Sequence, residues 1–296
     1  MVIRFGKIHL LSGLVLFCGV LLLFAIRADP TKQALSPVQS RTLPVVMYHH
    51  VLRDPRRAGK YVLPEETLRE DLAYLQQCGY TSVTVGDVLA FVKGKKELPE
   101  KIVMLTFDDG YQSMETYVLP LLQAYRMKAV LSVVGQFAQS YTDSGDTNVG
   151  YACLSWNALR RLSDSGCFEL QNHTYDLHKN GAAGRKGLAQ KRGESLDAYR
   201  AMLTEDLMKN QNAIRQFTGQ TPAALTYPFG ACSDSTPQIA KDCGFQAILT
   251  CAQTVNTITQ GDADSLFALG RFNRAAGEDS AAFFQKLGIS QANNGT

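Results

Sequence analysis

The sequence predicts an α/β fold: a parallel sheet with helices outside it, either open or closed into a barrel, behind one apolar N-terminal segment. Three observations predict it. Short apolar runs alternate with longer amphipathic stretches over about 230 residues. Two of these runs, KIVMLTF (101–107) and AVLSVVG (129–135), are apolar almost throughout, as strands covered on both faces are. The residues able to do chemistry follow apolar runs instead of preceding them, and in parallel α/β folds the working groups gather at the carboxyl ends of strands.

Taken in order, Arg4 and Lys7 precede LLSGLVLFCGVLLLFAI (10–26), 17 residues without a charge. This exceeds the h-region of a signal peptide and reaches the short end of a membrane-spanning helix. Ile26 and Ala28 make a poor cleavage signal, so residues 1–29 are read as an uncleaved signal-anchor with the N-terminus inside. A secreted chain, cleaved after a signal peptide, is the alternative. Both readings place the chain beyond about residue 30 outside the cytoplasm, single-pass on the cell membrane in the first case. A polar, proline-containing linker (30–42) leads into one domain (43–290).

PVVMYHH (44–50) reads as a strand, and PEETLREDLAYLQQCG (64–79) as a helix stopped by glycine. TSVTV (81–85) is a strand and VGDVLAFVKG a helix. The strand 101–107 follows, then a helix over 117–127, the strand 129–135, and a helix over 155–166 with Ser155 as cap and Gly166 as stop. FELQNH (168–173) is a strand, and 195–219 a long helix with Leu203, Leu207 and Ile214 near one face. AALTYPFG (223–230) is a strand running into a turn. FQAILT (245–250) and FALGRFN (267–273) close the series. KNGAAGRKGLAQKRGE (179–194) is basic and glycine-rich and reads as a flexible, solvated loop.

The formal net charge of +3 comes without a compact basic patch interleaved with aromatics, which argues against nucleic acid as a partner. Beyond Cys18 in the apolar segment there are six cysteines, Cys78, Cys153, Cys167, Cys232, Cys243 and Cys251. An even number in an exported domain permits disulfides, and small buried apolar residues are the equal alternative.

His49 and His50 follow VVMY, Asp108 and Asp109 follow IVMLTF, and His173 follows FEL, with His178 five residues on. Five residues converge on neither a helix nor a strand, so a bend between His173 and His178 is required. With a carboxylate from Asp109 or Asp108, the two histidines make a set that commonly binds a divalent cation with positions left open. A cation there also offsets the repulsion between adjacent aspartates, and Gly110 lets the chain turn away at once.

TFDDGY, LSWNALRRLSDSGCFELQNHTYDLH and LTYPFG, in that order, resemble the motifs of the polysaccharide deacetylases, the carbohydrate esterases of family 4 with a NodB-like domain. The resemblance covers roughly residues 43 to 275. It implies a distorted (β/α) barrel of about seven strands, and a divalent metal, commonly zinc, with cobalt, nickel or iron as substitutes. It further implies Asp109, His173 and His178 as metal ligands, Asp108 as general base, and a backbone N–H at Tyr227 holding the oxyanion as an acetamide is hydrolysed. Pro228 shapes that turn. The five-residue histidine spacing and the YHH segment resemble the subgroup acting on poly-β-1,6-N-acetylglucosamine. Two departures follow: Thr226 stands where the family carries an arginine, and no histidine follows His178. Arg271 or Arg274 is expected to hold Asp108 in the arginine's stead, and His49 or His50, with His49 preferred, to serve as the missing acid. His50, Tyr111, Pro228 and Arg271 complete the expected substrate-binding set, and Trp156 is expected to be structural.

The expected partner is an N-acetylglucosamine polysaccharide, with the membrane reached through the N-terminal helix. Peptidoglycan deacetylation, O-acetyl esterase activity and a non-catalytic glycan-binding module are the alternatives.

Overall fold

The computed structural model describes residues 38–182 and 184–291. The proposed signal-anchor and most of the linker lie outside the described residues. No described helix is long and apolar enough to cross a membrane.

The strands are β1 (Ser40–Leu43), β2 (Val45–Tyr48), β3 (His50–Leu52), β4 (Val62–Pro64), β5 (Thr81–Ser82), β6 (Ile102–Asp108) and β7 (Ala129–Val133). They continue as β8 (Phe168–Asn172), β9 (Ala224–Thr226), β10 (Ala247–Leu249), β11 (Asn256–Thr259), β12 (Phe267–Leu269) and β13 (Phe272–Asn273). One sheet of 9 strands dominates, in the order β12-β10-β9-β8-β7-β6-β2-β13 with β5 added beside β6. All of its pairings are parallel. β1 pairs antiparallel with β11, and β3 pairs with β4, in two small separate ladders.

The sheet therefore has more strands than the expected seven, and its ladder is open. Its closure is covalent: β12 lies on one edge, β13 on the other, and only Gly270 and Arg271 separate them along the chain. FALGRFN, read as one strand, is thus two half-strands on opposite edges. Gly270 is required at the seam, because a Cβ there would meet Thr254 Oγ1 at 2.1 Å and the Ala252 carbonyl at 2.7 Å.

Alternation along each strand decides what faces inward. On β6, Val103, Leu105 and Phe107 join the outer core with Leu68, Leu72, Leu131 and Leu159. Ile102 and Met104 face the other way, with Val45, Val130, Ala224, Ala247, Leu249 and Leu269. Higher on that inner face come buried hydroxyls: Thr106, which donates to the Val46 carbonyl (2.8 Å), and Ser132 against Thr226 (2.7 Å). The interior thus grades from apolar at the strand starts to polar at their carboxyl ends.

The helices begin where capping chemistry allows. Thr84 and Asp87 form a reciprocal capping box for Val85–Val92, which is why the strand expected over 81–85 stops at Ser82. Ser155 caps Trp156–Asp164, and Ser195 caps Leu196–Thr218, which ends at Gly219 in the left-handed conformation. Trp156 is buried against Phe217 and donates to Gln139, a packing role. Gly135–Ser144, Thr236–Asp242 and Ser280–Lys286 were not expected. The last two are single short helices whose periodicity is too brief to register.

The stretch 179–194 is not a free loop. Leu188 is fully buried, and Arg185 pairs with Glu194 (2.6 Å) while donating to the Ala189 carbonyl. The Leu188 N–H donates to the Ala231 carbonyl, and Gln190 N–H to Ser233. The six cysteines from Cys78 to Cys251 are all free thiols, so the disulfide option is not used among the described residues.

A buried ion pair ties the sheet's far edge to its helices. Arg274 donates twice to Asp71 through Nε and once through Nη2, and Ser280 and Tyr48 donate to the same carboxylate. Removing one partner strands the other without water. Asp71→Ala is expected to lower unfolding free energy by about 3–5 kcal/mol in urea titration at neutral pH.

Candidate active site

The inward faces of β2, β6, β8 and the seam converge at the carboxyl rim. The alternation that puts Val45 and Met47 inside also puts His49 inside. The same parity carries Met104, Thr106 and Asp108 up β6, and Gln171 and His173 up β8. A cavity of about 420 Å³ opens there, lined by His49, Asp108, Asp109, Tyr111, His173 and His178 among the expected residues.

Parity alone would turn Asp109 outward with Phe107. The backbone prevents this by taking a positive φ of 71° at Asp109, followed by 76° at Gly110. Thr174, immediately after His173, has φ 72°, an unusual conformation for a β-branched residue. The long helix holds that bend. Asp206 accepts the Tyr175 and Asp176 N–H groups at 2.8 Å each, and Asn210 donates to the Val133 carbonyl and to Asn172, which in turn accepts from the Thr174 N–H. The required bend between the two histidines is thus built and pinned.

As a result, one donor atom each of Asp109, His173 and His178 lies within 4.8 Å of the others. His178 Nε2 is 3.1 Å and His173 Nε2 3.7 Å from Asp109 Oδ1. A tetrahedral zinc site with bonds near 2.0–2.1 Å puts its donors about 3.3 Å apart. Asp109 Oδ1 is buried and has no well-aligned hydrogen bond despite these neighbours, as expected of lone pairs aimed at a common centre. His173 Nδ1 lies 2.9 Å from the Thr226 carbonyl, which assigns the proton to Nδ1 and leaves Nε2 as the donor. The donor set fits a divalent cation.

Charge agrees. Burial pushes the His173 imidazole down to about 4, so it is neutral at ordinary pH. Burial pushes Asp108 up, but the charge and hydrogen bonds of Arg271, with the nearby His173 and His49, together outweigh it and hold the carboxyl well below the usual range. Arg271 is fully buried: Nη1 meets Asp108 Oδ1 at 2.8 Å, Nη2 meets Oδ2 at 2.9 Å, and the remaining donors reach Thr106 and the Thr250 carbonyl. Arg274, the other candidate, is committed to Asp71. Burial also lowers the His49 imidazole, against the pull of Asp108 and Asp109.

Four expectations need correction. Arg271 does not face the cavity and cannot bind substrate, because its guanidinium is spent on Asp108. His50 is buried, with Nε2 on the Val149 carbonyl at 2.9 Å, and stacks flat behind Tyr111 at 4.2 Å; it backs the cavity without lining it. The Tyr227 N–H donates to the Leu249 carbonyl (3.0 Å), and the side chain shares the outward parity of Leu225, among Leu188, Tyr199 and Leu203. Pro228 is buried beneath the turn. The next residue differs: Phe229, at φ 57°, lines the cavity with its ring 4.6 Å from His178, and among the described residues its N–H has no acceptor.

Met47, Lys60, Tyr61, Lys186, Phe229, Cys251, Gln253 and Asn273 also line the cavity and were not singled out. Met47 and Asn273 were legible from parity, lying two residues from His49 and Arg271. Lys60 and Lys186 arrive on loops, where alternation says nothing.

The sequence model of the family described as polysaccharide deacetylase matches residues 95–248. The poly-β-1,6-N-acetyl-D-glucosamine N-deacetylase of Escherichia coli K12 is 30% identical over 212 residues, 66% of this chain and 32% of that protein. The chain thus spans about a third of the length of that relative. The protein of the same name from Staphylococcus epidermidis is 22% identical over 66% of this chain and 63% of its own. Among solved structures, IcaB from Ammonifex degensii aligns with TM-score 0.67 at 24% identity over 85% of this chain and 98% of its own. The BpsB deacetylase domain from Bordetella bronchiseptica aligns with TM-score 0.64 at 26% identity over 80% and 97%.

Two outcomes are expected. Arg271→Met leaves Asp108 buried and unpaired, lowering stability by about 3–5 kcal/mol at neutral pH. The depressed folded pKa of Asp108 contributes stability above its unfolded value near 3.9 and loses it as pH falls through the folded value. The difference between wild type and variant therefore narrows on acidification, which denaturant titrations at several pH values measure. Asp206→Ala loosens the bend between His173 and His178, and zinc affinity measured by calorimetry is expected to drop about tenfold or more.

Proposed function

The chain belongs to the polysaccharide deacetylase family, and from that premise we propose that it removes N-acetyl groups from an N-acetylglucosamine polysaccharide, releasing acetate. The observation that carries the reading is the convergence of the Asp109, His173 and His178 donor atoms beside Asp108 in one cavity at the sheet's carboxyl rim. A divalent cation held by those three residues, zinc being the first candidate, would polarise the acetamide carbonyl and acidify the attacking water.

The remaining roles fall to this chain's own groups. Asp108, ionised and oriented by Arg271, accepts the proton of the attacking water on the lone pairs that Arg271 leaves open. Its low basicity suits a water already acidified. The N–H of cavity-lining Phe229, which has no acceptor among the described residues, and not that of Tyr227, which is spent on Leu249, is assigned to receive charge developing on the carbonyl oxygen. His49, on the cavity wall with Nδ1 unpartnered, delivers a proton to the departing amine. An amine leaves far more readily as its conjugate acid than as an amide anion, so a nearby acid favours N-deacetylation over ester hydrolysis.

The β-1,6-linked polymer is favoured because the relatives at 30% identity are named for it; peptidoglycan is the rival within the class. The uncharged run 10–26 supports a domain (43–290) anchored on the outer side of a membrane.

The test is acetate release by the full chain from β-1,6- and β-1,4-linked N-acetylglucosamine oligomers, with chelator and with zinc restored. Release from the β-1,6 oligomer alone, abolished by chelator and restored by metal, is expected. Release from the β-1,4 oligomer alone would move the substrate to peptidoglycan or chitin, and no release from either would sink the reading. Asp108→Asn is expected to cost about 10²–10⁴-fold in kcat. Loss of the alkaline limb of the pH–rate profile in His49→Ala would fit its role as acid; an unchanged rate and profile would remove that role.

A further inference from the structure

The cavity wall carries two cations that the proposed chemistry does not use. Lys60 and Lys186 both line it, from opposite sides of the sequence and on separate elements. Among the described residues, the only carboxylates lining it are Asp108 and Asp109. Asp108 is neutralised by Arg271, and Asp109 faces His173 and His178. Among the described residues the lysines of the mouth therefore have no exposed acid on the cavity wall to offset them.

Both lysines sit on backbone that is tied down. Around Lys60, the Gly59 N–H donates to Val62, the Ala276 N–H to Gly59, and Asn273 Nδ2 to the Lys60 carbonyl at 3.0 Å. The Lys60 ammonium lies 5.0 Å from the centroid of the Tyr61 ring, which also lines the cavity. Lys186 pairs with Asn180 in a short antiparallel bridge and is flanked by buried Arg185 and buried Gly187. Gly187, at φ 50°, packs so closely on the third-motif turn that a Cβ would meet the Pro228 carbonyl at 2.5 Å. The segment holding Lys186 is thus fastened to the turn that carries Phe229.

We propose that Lys60 and Lys186 act as specificity residues that reject a cationic glucosamine next to the acetamide being cleaved, so that deacetylated sugars are left spaced apart along the polymer. The inference rests on the deacetylase reading above. Each turnover converts a neutral acetamide into an ammonium at ordinary pH. A sugar bound beside the reacting one must pass the same rim, and like charges placed close together in a partly desolvated site disfavour binding. Fully acetylated stretches meet no such penalty. The charge that discriminates is created by the reaction itself, so the pattern of product limits further reaction.

The experiment compares acetate release from a fully acetylated β-1,6 pentamer and from the same pentamer carrying one glucosamine beside the central sugar. Wild type is expected to favour the fully acetylated oligomer by roughly threefold or more in kcat/KM at low salt. Raising salt from about 0.05 M to about 0.5 M should shrink that ratio, because screening acts on exposed charges. In Lys60→Gln with Lys186→Gln the ratio should approach one, each oligomer being compared within the same protein. A ratio of one in wild type, or a preference insensitive to both salt and substitution, would overturn the proposal, the latter by making the discrimination steric. The salt series needs no variant, so a misfolded double substitution does not blunt the test. Failure to release acetate from the fully acetylated pentamer would instead sink the deacetylase reading on its own.

Discussion

The arginine that spans the open seam of the sheet is the constraint on which the site depends. Gly270 and Arg271 are all that join the two edges, and Arg271 spends its guanidinium on Asp108, Thr106 and the Thr250 carbonyl. One side chain therefore ties the edge pairing of β12 to the central strand β6 and keeps the carboxylate at the end of β6 ionised. A buried carboxylate without this partner would be neutral, and a neutral Asp108 could not accept a proton. The residue at the covalent seam of the sheet is thus also the residue that pairs with the carboxylate of the site.

This also accounts for the departure in the third motif. Where the family resemblance expects an arginine, Thr226 sits inside the sheet, hydrogen-bonded to Ser132, with its carbonyl facing His173 Nδ1. A guanidinium from that position is not needed because one arrives from the seam. The sequence contained the compensating residue, but not its partner: Arg271 and Arg274 flank the same half-strand, and only parity separates them. Arg271 points inward to Asp108, whereas Arg274, three residues on, lies on the outer side with Asp71.

Strand parity explains what was legible and what was not. The rule that chemistry follows apolar runs located Asp108, Asp109, His49 and His173 correctly at the rim. Alternation, applied one residue at a time, separates His49 from His50 and assigns Tyr227 outward with Leu225. The family resemblance gives the oxyanion role to Tyr227, whose N–H belongs to the ladder. The nine-strand count and the split of FALGRFN were hidden for a related reason. Half-strands of two or three residues carry too few alternations to identify, and which edge each joins is decided by tertiary closure. The loop 179–194 was misread from composition: its glycines allow close packing against the Pro228 turn, and its Arg185 is consumed by Glu194.

The residues that parity cannot place are those where the backbone departs from ordinary conformations. Of the four non-glycine residues with positive φ among the described residues, Arg126 ends a helix, Asp109 and Phe229 line the cavity, and Thr174 directly follows the cavity residue His173. Each of these three redirects the chain by one residue: Asp109 inward against its strand's parity, Thr174 so that His178 folds back toward His173, Phe229 so that its ring lies against His178 at the cavity. Such conformations cost of order 1–3 kcal/mol each and persist only where surrounding hydrogen bonds overdetermine them. Around Thr174 those bonds come from Asn172 at the end of β8 and from Asp206 and Asn210 on the long helix, none of which is among the residues lining the cavity. A regular parallel sheet can bring groups to its rim, but convergence of three donors on one point requires the irregularities, and the long helix is what makes the irregularity at Thr174 tenable.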